Sequence, residues 1–339
     1  MNVVFLGSGA FGLPTLRALA QAHSVVGIVT QPDKPAGRAM EPTATPVGAW
    51  AAEHLPQVPL LKPERINAPE AVAQVRGFPA SAWVVIAYGQ KLGAELLQDA
   101  FAVNLHASLL PRWRGAAPIH HAVLAGDVET GNSVIALAEK MDAGRVFAQS
   151  RRPIGAAQTT GELHDLLAED GAPLVLGVLE EREQGRESGR EQDGALATAA
   201  PKLSRADAWV DFARSADQVR RRVNGLSPWP GVSVKLGETT LKLLRAELDG
   251  APAEQAAGAA GGSSGDANPH RRPFSSGALM DADRGVVACG DGAAVRLLEV
   301  QPSGKRAMSW AEFARGRRME PGGTLVPDVA PPSAPPALP

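Results

Sequence analysis

In the first half of the chain, short runs rich in β-branched residues alternate with stretches whose apolar positions recur at helical spacing. Val3–Leu6, Val25–Thr30, Trp83–Ala87, Ala102–His106 and Ser133–Leu137 read as strands. Pro14–Ala22, Val47–His54 and Ala117–Ala125 read as helices, with Pro14 and Pro118 near starts where proline sacrifices no helical hydrogen bond. Thr159–Glu183 predicts a longer helix, with Thr159 or Thr160 as cap and Leu163, Leu166, Leu167, Leu174 and Leu176 as apolar positions. Strands that alternate with helices build an open, mostly parallel sheet covered on both faces, so the class expected is α/β and Rossmann-like.

The pattern changes after residue 183. Residues 184–200 lose periodicity and gain Gly, Gln and charge, which predicts a linker. Beyond it, Ser215 can cap a short helix whose Ala216, Val219 and Val223 share a face, closed by Gly225. Strand-like runs follow at Val232–Leu236, Thr239–Leu244, Val286–Cys289 and Ala294–Val300, joined by the turn pairs Gly237-Glu238 and Asp291-Gly292. A smaller C-terminal β-barrel, OB-like, is the expected result, and such barrels often bind oligonucleotides. Residues 250–276 read as a low-complexity flexible loop inserted in this domain, and 321–339 as a disordered, proline-rich tail. The expected division is a first domain at 1–188, a linker at 189–204, a barrel domain at 205–320 and the tail. No internal repeat is visible.

Length and charge sharpen this division. At about 150 residues per domain, 339 residues suit two domains that each bury a core. The net charge of -2 conceals a split: residues 1–200 carry 16 Lys+Arg against 21 Asp+Glu, whereas 201–320 carry 18 against 14. The second domain is the basic one, mildly enough to hold a polyanion only as part of a larger grip. A single cysteine, Cys289, can form no internal disulfide and reads as a small core thiol. The apolar start Val3–Leu6 meets Gly7 too soon for a signal peptide, and no run is long enough to span a membrane, so a soluble cytoplasmic protein is expected.

Gly7-Ser8-Gly9-Ala10-Phe11-Gly12 follows the first strand and precedes a helix, the setting of a dinucleotide fingerprint. The acidic residue that should close the second strand is missing, since Val29-Thr30-Gln31 leads into Pro32 and Asp33 in a Pro/Gly-rich loop. The plain alternative is a tight turn that lets the first helix pack closely on the sheet. A stronger signal is Asn104 to Ile119, NLHASLLPRWRGAAPI. On a strand, Asn104 and His106 point to the same side about 7 Å apart, at the carboxyl end that borders the ligand crevice in open α/β sheets. Arg112-Trp113-Arg114-Gly115 adds two cations and an aromatic. Asp142, in a loop after the strand at 133–137, is placed to orient His106 and favour its charged form. Asn104 offers a neutral amide donor for a developing oxyanion. No nucleophile accompanies the three, which points to direct transfer between two bound substrates. The bland reading makes His106 a satisfied structural histidine and Asp142 a turn former. His120-His121 are adjacent on a predicted helix and cannot converge on one ion, so no metal site is expected. Arg220-Arg221-Arg222 reads as a solvated helix face with one residue bonded to the linker, and Ser303-Gly304-Lys305 lacks the upstream glycine of a P-loop.

Taken with Ala87-Tyr88-Gly89-Gln90, Thr30-Gln31-Pro32-Asp33-Lys34-Pro35-Ala36-Gly37-Arg38, Asp142-Ala143-Gly144, Lys202-Leu203-Ser204, Ser227-Pro228-Trp229-Pro230-Gly231 and Gln301 to Ser309, these motifs resemble the methionyl-tRNA formyltransferases in order from residue 1 to about 320. Glycinamide ribonucleotide transformylase shares the Asn/His/Asp set but neither the Arg-Trp-Arg-Gly continuation nor the second domain. The resemblance implies a formyltransferase fold and transfer of the formyl group of 10-formyltetrahydrofolate to the amino group of methionyl-initiator-tRNA by a monomer that needs no metal. It implies Asn104, His106 and Asp142 as catalytic residues. Folate would lie against Val85, Ile86, Ala87, Tyr88 and Gly89 and against Ser108, Leu109, Leu110 and Pro111. Lys34, Arg38, Arg112, Arg114, Lys202 and Lys305 would contact tRNA. The lysines usual after the family's Gly-Arg pair are replaced by Ala39-Met40-Glu41, so either Arg38 and Lys34 carry that contact or tRNA affinity is weaker. The alternatives are a formyltransferase acting on a small amine or sugar nucleotide and an NAD(P)-dependent oxidoreductase.

Overall fold

The structure is a computed structural model that describes residues 1–36, 41–250, 274–317 and 322–332. Two compact units emerge, interleaved along the chain: Met1–Pro118, Thr130–Arg152 and His164–Ala200 form the first, and Ile119–Glu129, Pro153–Leu163 and Pro201–Pro339 the second. The expected first domain ran unbroken from 1 to 188, whereas here two of its segments join the second unit.

The first unit opens with β1 (Asn2–Gly7), α1 (Leu13–Ala22), β2 (Ser24–Val29), the small hairpin β3 (Lys34–Ala36) and β4 (Glu41–Thr43), and α2 (Pro46–His54). It continues through β5 (Leu60–Leu61), α3 (Pro69–Arg76), β6 (Ala82–Ile86), α4 (Ala94–Leu97), β7 (Ala102–His106), β8 (Arg114–Gly115), α5 (Pro118–Ala125), β9 (Glu129–Ala136), β10 (Val146–Pro153), α6 (Thr160–Glu183) and β11 (Ala199–Ala200); α5, β9, β10 and α6 contribute residues to both units. The sheet order is β10-β9-β7-β6-β1-β2-β5. β1 pairs in parallel with β2 and β6, as do β6 with β7 and β2 with β5, whereas β9 runs antiparallel to β7. This is the expected α/β, mostly parallel sheet. The central strands β1 and β6 are apolar on both faces because both faces are covered: Val3, Val4, Phe5 and Leu6 have no exposed surface. Asn132, inside β9, is also fully buried, and its amide is held by the Leu167 carbonyl at 2.8 Å.

The glycine motif takes the packing role. A Cβ on Gly7 would lie 2.8 Å from the Ile86 carbonyl, and one on Gly12 would lie 2.9 Å from the Phe5 ring. Ser8 Oγ donates to the Tyr88 carbonyl at 3.0 Å, tying the turn to the segment just past β6. Asp33 pairs with Lys62 at 2.7 Å, so the one nearby carboxylate already has a cation.

In the second unit α7 (Ala216–Gly225) starts in the expected way, with Ser215 and Gln218 forming a reciprocal capping box. Then come β12 (Val232–Leu236), β13 (Thr239–Leu248), β14 (Leu279–Asp281), β15 (Val286–Ala288), β16 (Ala294–Pro302), β17 (Met308–Ser309), α8 (Trp310–Arg315) and β18 (Leu325–Pro327). The sheet path is β14-β15-β16-β13-β12-β18, with β17 on β16. Its two ends meet: Leu279 N–H donates to the Gly323 carbonyl at 2.8 Å, Gly322 N–H to Leu279 at 3.1 Å and Leu325 N–H to Gly277 at 2.8 Å. The curled antiparallel sheet thereby closes on itself, which removes its open edges. This corrects the reading of 321–339 as a disordered tail for the part described. Leu325 is buried and β18 pairs antiparallel with β12. Most of the expected 250–276 loop lies outside the described residues.

Two further expectations concern single side chains. Arg220-Arg221-Arg222 is not a solvated face. Arg220 and Arg221 both pair with Asp217, while Arg222 is buried over the Trp209 ring and donates to the Trp209 carbonyl at 2.7 Å. Burial pulls its guanidinium down to about 10. Cys289 is buried as expected, and that burial, with Asp291 adding to it, pushes its thiol up to about 12. The thiolate is the nucleophile, so the folded chain is expected to resist alkylation at neutral pH and the denatured chain to react once per molecule. Rapid modification of the native chain, followed by mass spectrometry, would contradict this placement.

Candidate active site

Asn104 and His106 sit on β7 at the carboxyl end of the parallel strands. Leu105 between them packs toward Gly171 of α6, so alternation turns Asn104 and His106 to the opposite face. Asn104 is half-buried, whereas His106 is 6% exposed. A histidine this buried needs partners, and it has two. Its Nε2 lies 2.8 Å from the Trp113 carbonyl, and its Nδ1 lies 3.6 Å from Asp142 Oδ2. The carbonyl is an acceptor within hydrogen-bond distance of Nε2, and the carboxylate faces Nδ1 at ion-pair distance.

The two loops that face His106 are held in unusual backbone conformations. Trp113 has φ 65° and Asp142 φ 53°, the left-handed region, which non-glycine residues occupy only when their surroundings enforce it. The enforcement is visible. Trp113 N–H donates to Thr198 Oγ1 at 2.9 Å and Arg114 N–H to the Thr198 carbonyl at 2.8 Å, while β8 pairs in parallel with β11. Gly115 must be glycine: its φ is 127°, and a Cβ would lie 2.5 Å from the Ala200 carbonyl. Its N–H donates to Asp142 Oδ2 at 2.9 Å, so one carboxylate oxygen serves both the loop and the histidine. The segment after residue 188, expected as a linker, is thus docked from Arg190 to Ala200 against this unit. Its side chains and backbone bond the two loops that face His106.

The comparisons with known proteins agree with one another. Residues 1–179 match the formyl transferase family model, and residues 202–318 match the model of the formyl transferase C-terminal domain. A methionyl-tRNA formyltransferase of Symbiobacterium thermophilum is 40% identical over 334 residues, covering 98% of this chain and 97% of the relative. The methionyl-tRNA formyltransferase of Paracoccus denitrificans is 40% identical over 321 residues, covering 93% and 97%. The chain belongs to the methionyl-tRNA formyltransferase family. Among solved structures, the sugar 3N-formyl transferase WlaRD aligns over 90% of this chain and 99% of its own with a TM-score of 0.63 at 10% identity. HypX from Aquifex aeolicus, crystallised with tetrahydrofolic acid, aligns over 92% of this chain and 46% of its own with a TM-score of 0.56 at 18% identity. These two speak for the fold.

Within a methionyl-tRNA formyltransferase frame, the remaining site residues fall into distinct surroundings. Val85 and Ile86 are buried and paired in the β6 ladder, so Ala87, Tyr88 and Gly89 are the first residues past it. Ala87 has φ 47° and Gly89 φ 91°. The Tyr88 side chain turns into the apolar cluster with Leu92 and Leu96, and burial pushes its phenol up to about 12. Only its backbone is available to a ligand. Ser108 and Leu110 are buried, and Leu109 and Pro111 are half-buried. Ser133 Oγ knits that turn together, donating to the Ser108 carbonyl at 2.6 Å and accepting from Leu110 N–H at 3.1 Å and Gln149 Nε2 at 2.8 Å.

The cations separate likewise. Lys34 is exposed on β3, and Lys202 and Lys305 are exposed in the second unit; Arg38 lies outside the described residues. Arg112 stacks its guanidinium 4.4 Å from the Trp113 ring centroid. Arg114 is turned inward, its Nε and Nη2 bonded to Gln192 Oε1 at 3.1 and 2.8 Å. Gln192 and Thr198 were invisible to sequence reasoning, since a Gly-, Gln- and charge-rich stretch gives no periodic signal. Among the described residues no cluster of three or more metal-ligating side chains occurs, and no helix is long and apolar enough to cross a membrane.

Proposed function

We propose that the chain transfers the formyl group of 10-formyltetrahydrofolate to the free amino group of methionyl-initiator-tRNA, giving N-formylmethionyl-tRNA for translation initiation. The observation that carries this reading is His106 held between the Asp142 carboxylate and the Trp113 carbonyl on the same strand face as Asn104, in a chain alike over nearly its whole length to proteins named for this activity. The folate co-substrate supplies an activated formyl carbon. The amine nitrogen bonds that carbon, the bond from carbon to folate N10 breaks, and one proton passes from the amine to N10.

This chain's residues serve three parts of the step. Asn104 donates to the oxygen on which negative charge develops. His106 Nε2 becomes available to the substrate by exchanging the Trp113 carbonyl, while Asp142 stays beside Nδ1. That imidazole is also the proton carrier between the two nitrogens. Folate lies along Val85 to Gly89 and Ser108 to Pro111, and Lys34, Arg38, Arg112, Lys202 and Lys305 hold the tRNA by phosphate contacts. Arg114, bonded to Gln192, supports the site from behind. The protein works without a metal, as a monomer in the cytoplasm.

A formyltransferase acting on a sugar nucleotide would share the catalytic set but have little use for a basic second domain. An NAD(P)-dependent oxidoreductase would leave Asn104, His106 and Asp142 idle. Incubation with 10-formyltetrahydrofolate and charged initiator tRNA, beside elongator methionyl-tRNA, is expected to formylate the initiator preferentially. Formylation of neither species overturns the reading.

A further inference from the structure

Gln192 uses every hydrogen-bonding position of its side chain. Its Oε1 accepts from Arg114 Nε at 3.1 Å and Nη2 at 2.8 Å. Its Nε2 donates to the Asp142 carbonyl at 2.8 Å and to the Gly144 carbonyl at 2.7 Å. A primary amide has two acceptor sites and two N–H donors, so these four bonds saturate it. The partners come from the two loops that face His106. Arg114 follows Trp113, whose carbonyl takes the Nε2 side, and Asp142 faces the Nδ1 side.

Those loops need a clamp. Trp113 and Asp142 both hold left-handed backbone conformations, which persist only when neighbours fix them. The far end of the second loop is pinned where Gly144 packs on β9, so tightly that a Cβ there would lie 1.8 Å from the Ala136 carbonyl. The near end, Asp142, is held by the Gly115 N–H on its side chain and by Gln192 on its backbone.

We propose that Gln192 is a positioning residue for formyl transfer, joining the Arg112–Gly115 loop to the Asp142–Gly144 loop and thereby setting the direction in which Asp142 faces His106. It touches no reacting atom. The proposal rests on the formyl-transfer reading for its rate effect, and on geometry alone for its effect on the His106 ring. The amide is required because the two sides of the clamp ask for opposite things: a guanidinium wants an acceptor and two carbonyls want donors. Glutamate can satisfy Arg114 but has no N–H for Asp142 and Gly144, and its second oxygen would repel their carbonyls. Leucine satisfies neither side.

The test uses the full chain with Gln192→Glu and Gln192→Leu. Both variants are expected to lose ten- to a hundredfold in kcat, the scale of a sub-ångström to 1 Å misplacement in a preorganised site. The KM for 10-formyltetrahydrofolate is expected to stay within about twofold. With nitrogen-15-labelled histidine, NMR should show the His106 ring losing its Nδ1 contact with the carboxylate while the other histidines keep their signals; His106→Ala supplies the assignment. Gln192→Glu retains the Arg114 pair and keeps the test open if the leucine variant fails to fold. Wild-type kcat in the glutamate variant overturns the proposal, and so does a lowered kcat with an unchanged His106 ring. A wild-type chain that forms no formylmethionyl-tRNA defeats the functional reading instead, and the ring signals still judge the clamp.

Discussion

Replacing His106 by alanine is expected to lower turnover by about 10²- to 10⁴-fold, the range that a positioned acid–base group contributes, while folate affinity stays within about twofold. The separation of the two effects follows from what the ring touches. Its contacts are the Trp113 carbonyl and the Asp142 carboxylate, not the backbone past β6 where we propose that folate lies. The loops have other restraints, since Thr198 holds Trp113 and Arg114, and Gly115 keeps its bond to Asp142. Removing the imidazole therefore removes the proposed proton carrier without dismantling the loops around it. Asp142→Asn makes a finer cut. It can still accept from the Gly115 N–H but presents no charge to Nδ1, so kcat should fall with little change in thermal midpoint. Rapid-quench turnover and folate titration by fluorescence check both variants. Loss of folate binding in step with loss of turnover would make His106 a structural residue.

The parts of this site that were legible in the sequence are those built on regular elements. β7 alternates an apolar Leu105 between Asn104 and His106, so the shared face of the pair follows from a period of two. Asp142 was legible by its place after a strand. What could not be read was how the loops are held. Gln192 and Thr198 belong to a stretch with no periodicity, and their role comes from long-range bonds to Arg114, Asp142, Gly144 and Trp113. β9 extends back to Glu129 through Thr130-Gly131-Asn132, polar and small residues that look like loop but are buried and bonded. β10 ends in Gln149 to Pro153, too polar to resemble a strand although it completes one edge of the sheet. The bond from Arg114 to Gln192 was also out of reach, because composition shows charge and not direction. The two interleaved units escaped prediction for the same reason: packing partners assign Ile119–Glu129 and Pro153–Leu163 to the second unit, not position in the chain.

A chain ending at Arg317 is expected to lose the folded second unit while retaining folate binding by the first. Composition argues the opposite, because a Pro- and Ala-rich end looks dispensable. The described segment Gly322–Asp328 nevertheless joins the two ends of the sheet path. β18 pairs Leu325 with Leu236, Val326 with Lys235 and Pro327 with Val234, and Asp328 N–H donates to the Ser233 carbonyl at 2.9 Å. On its other side the segment bonds Gly277 and Leu279. Proline fits at the end of such a strand, where a missing N–H costs least. Each backbone bond contributes about 0.5–1.5 kcal/mol net, and burying Leu325 about 1.5–3 kcal/mol. Losing the set removes at least about 4 kcal/mol from a unit whose whole stability is expected to be on the order of 5–15 kcal/mol. The cut also bares β12 and β14 as unpaired edges, which favours association between chains. Leu325→Asp is the single-residue version, placing a carboxylate in an apolar site without a partner. Limited proteolysis read by mass spectrometry is expected to cleave residues 201–317 of the truncated chain and spare the first unit. If the shortened chain resists cleavage there and binds tRNA as the full chain does, closure by β18 is not what stabilises the barrel.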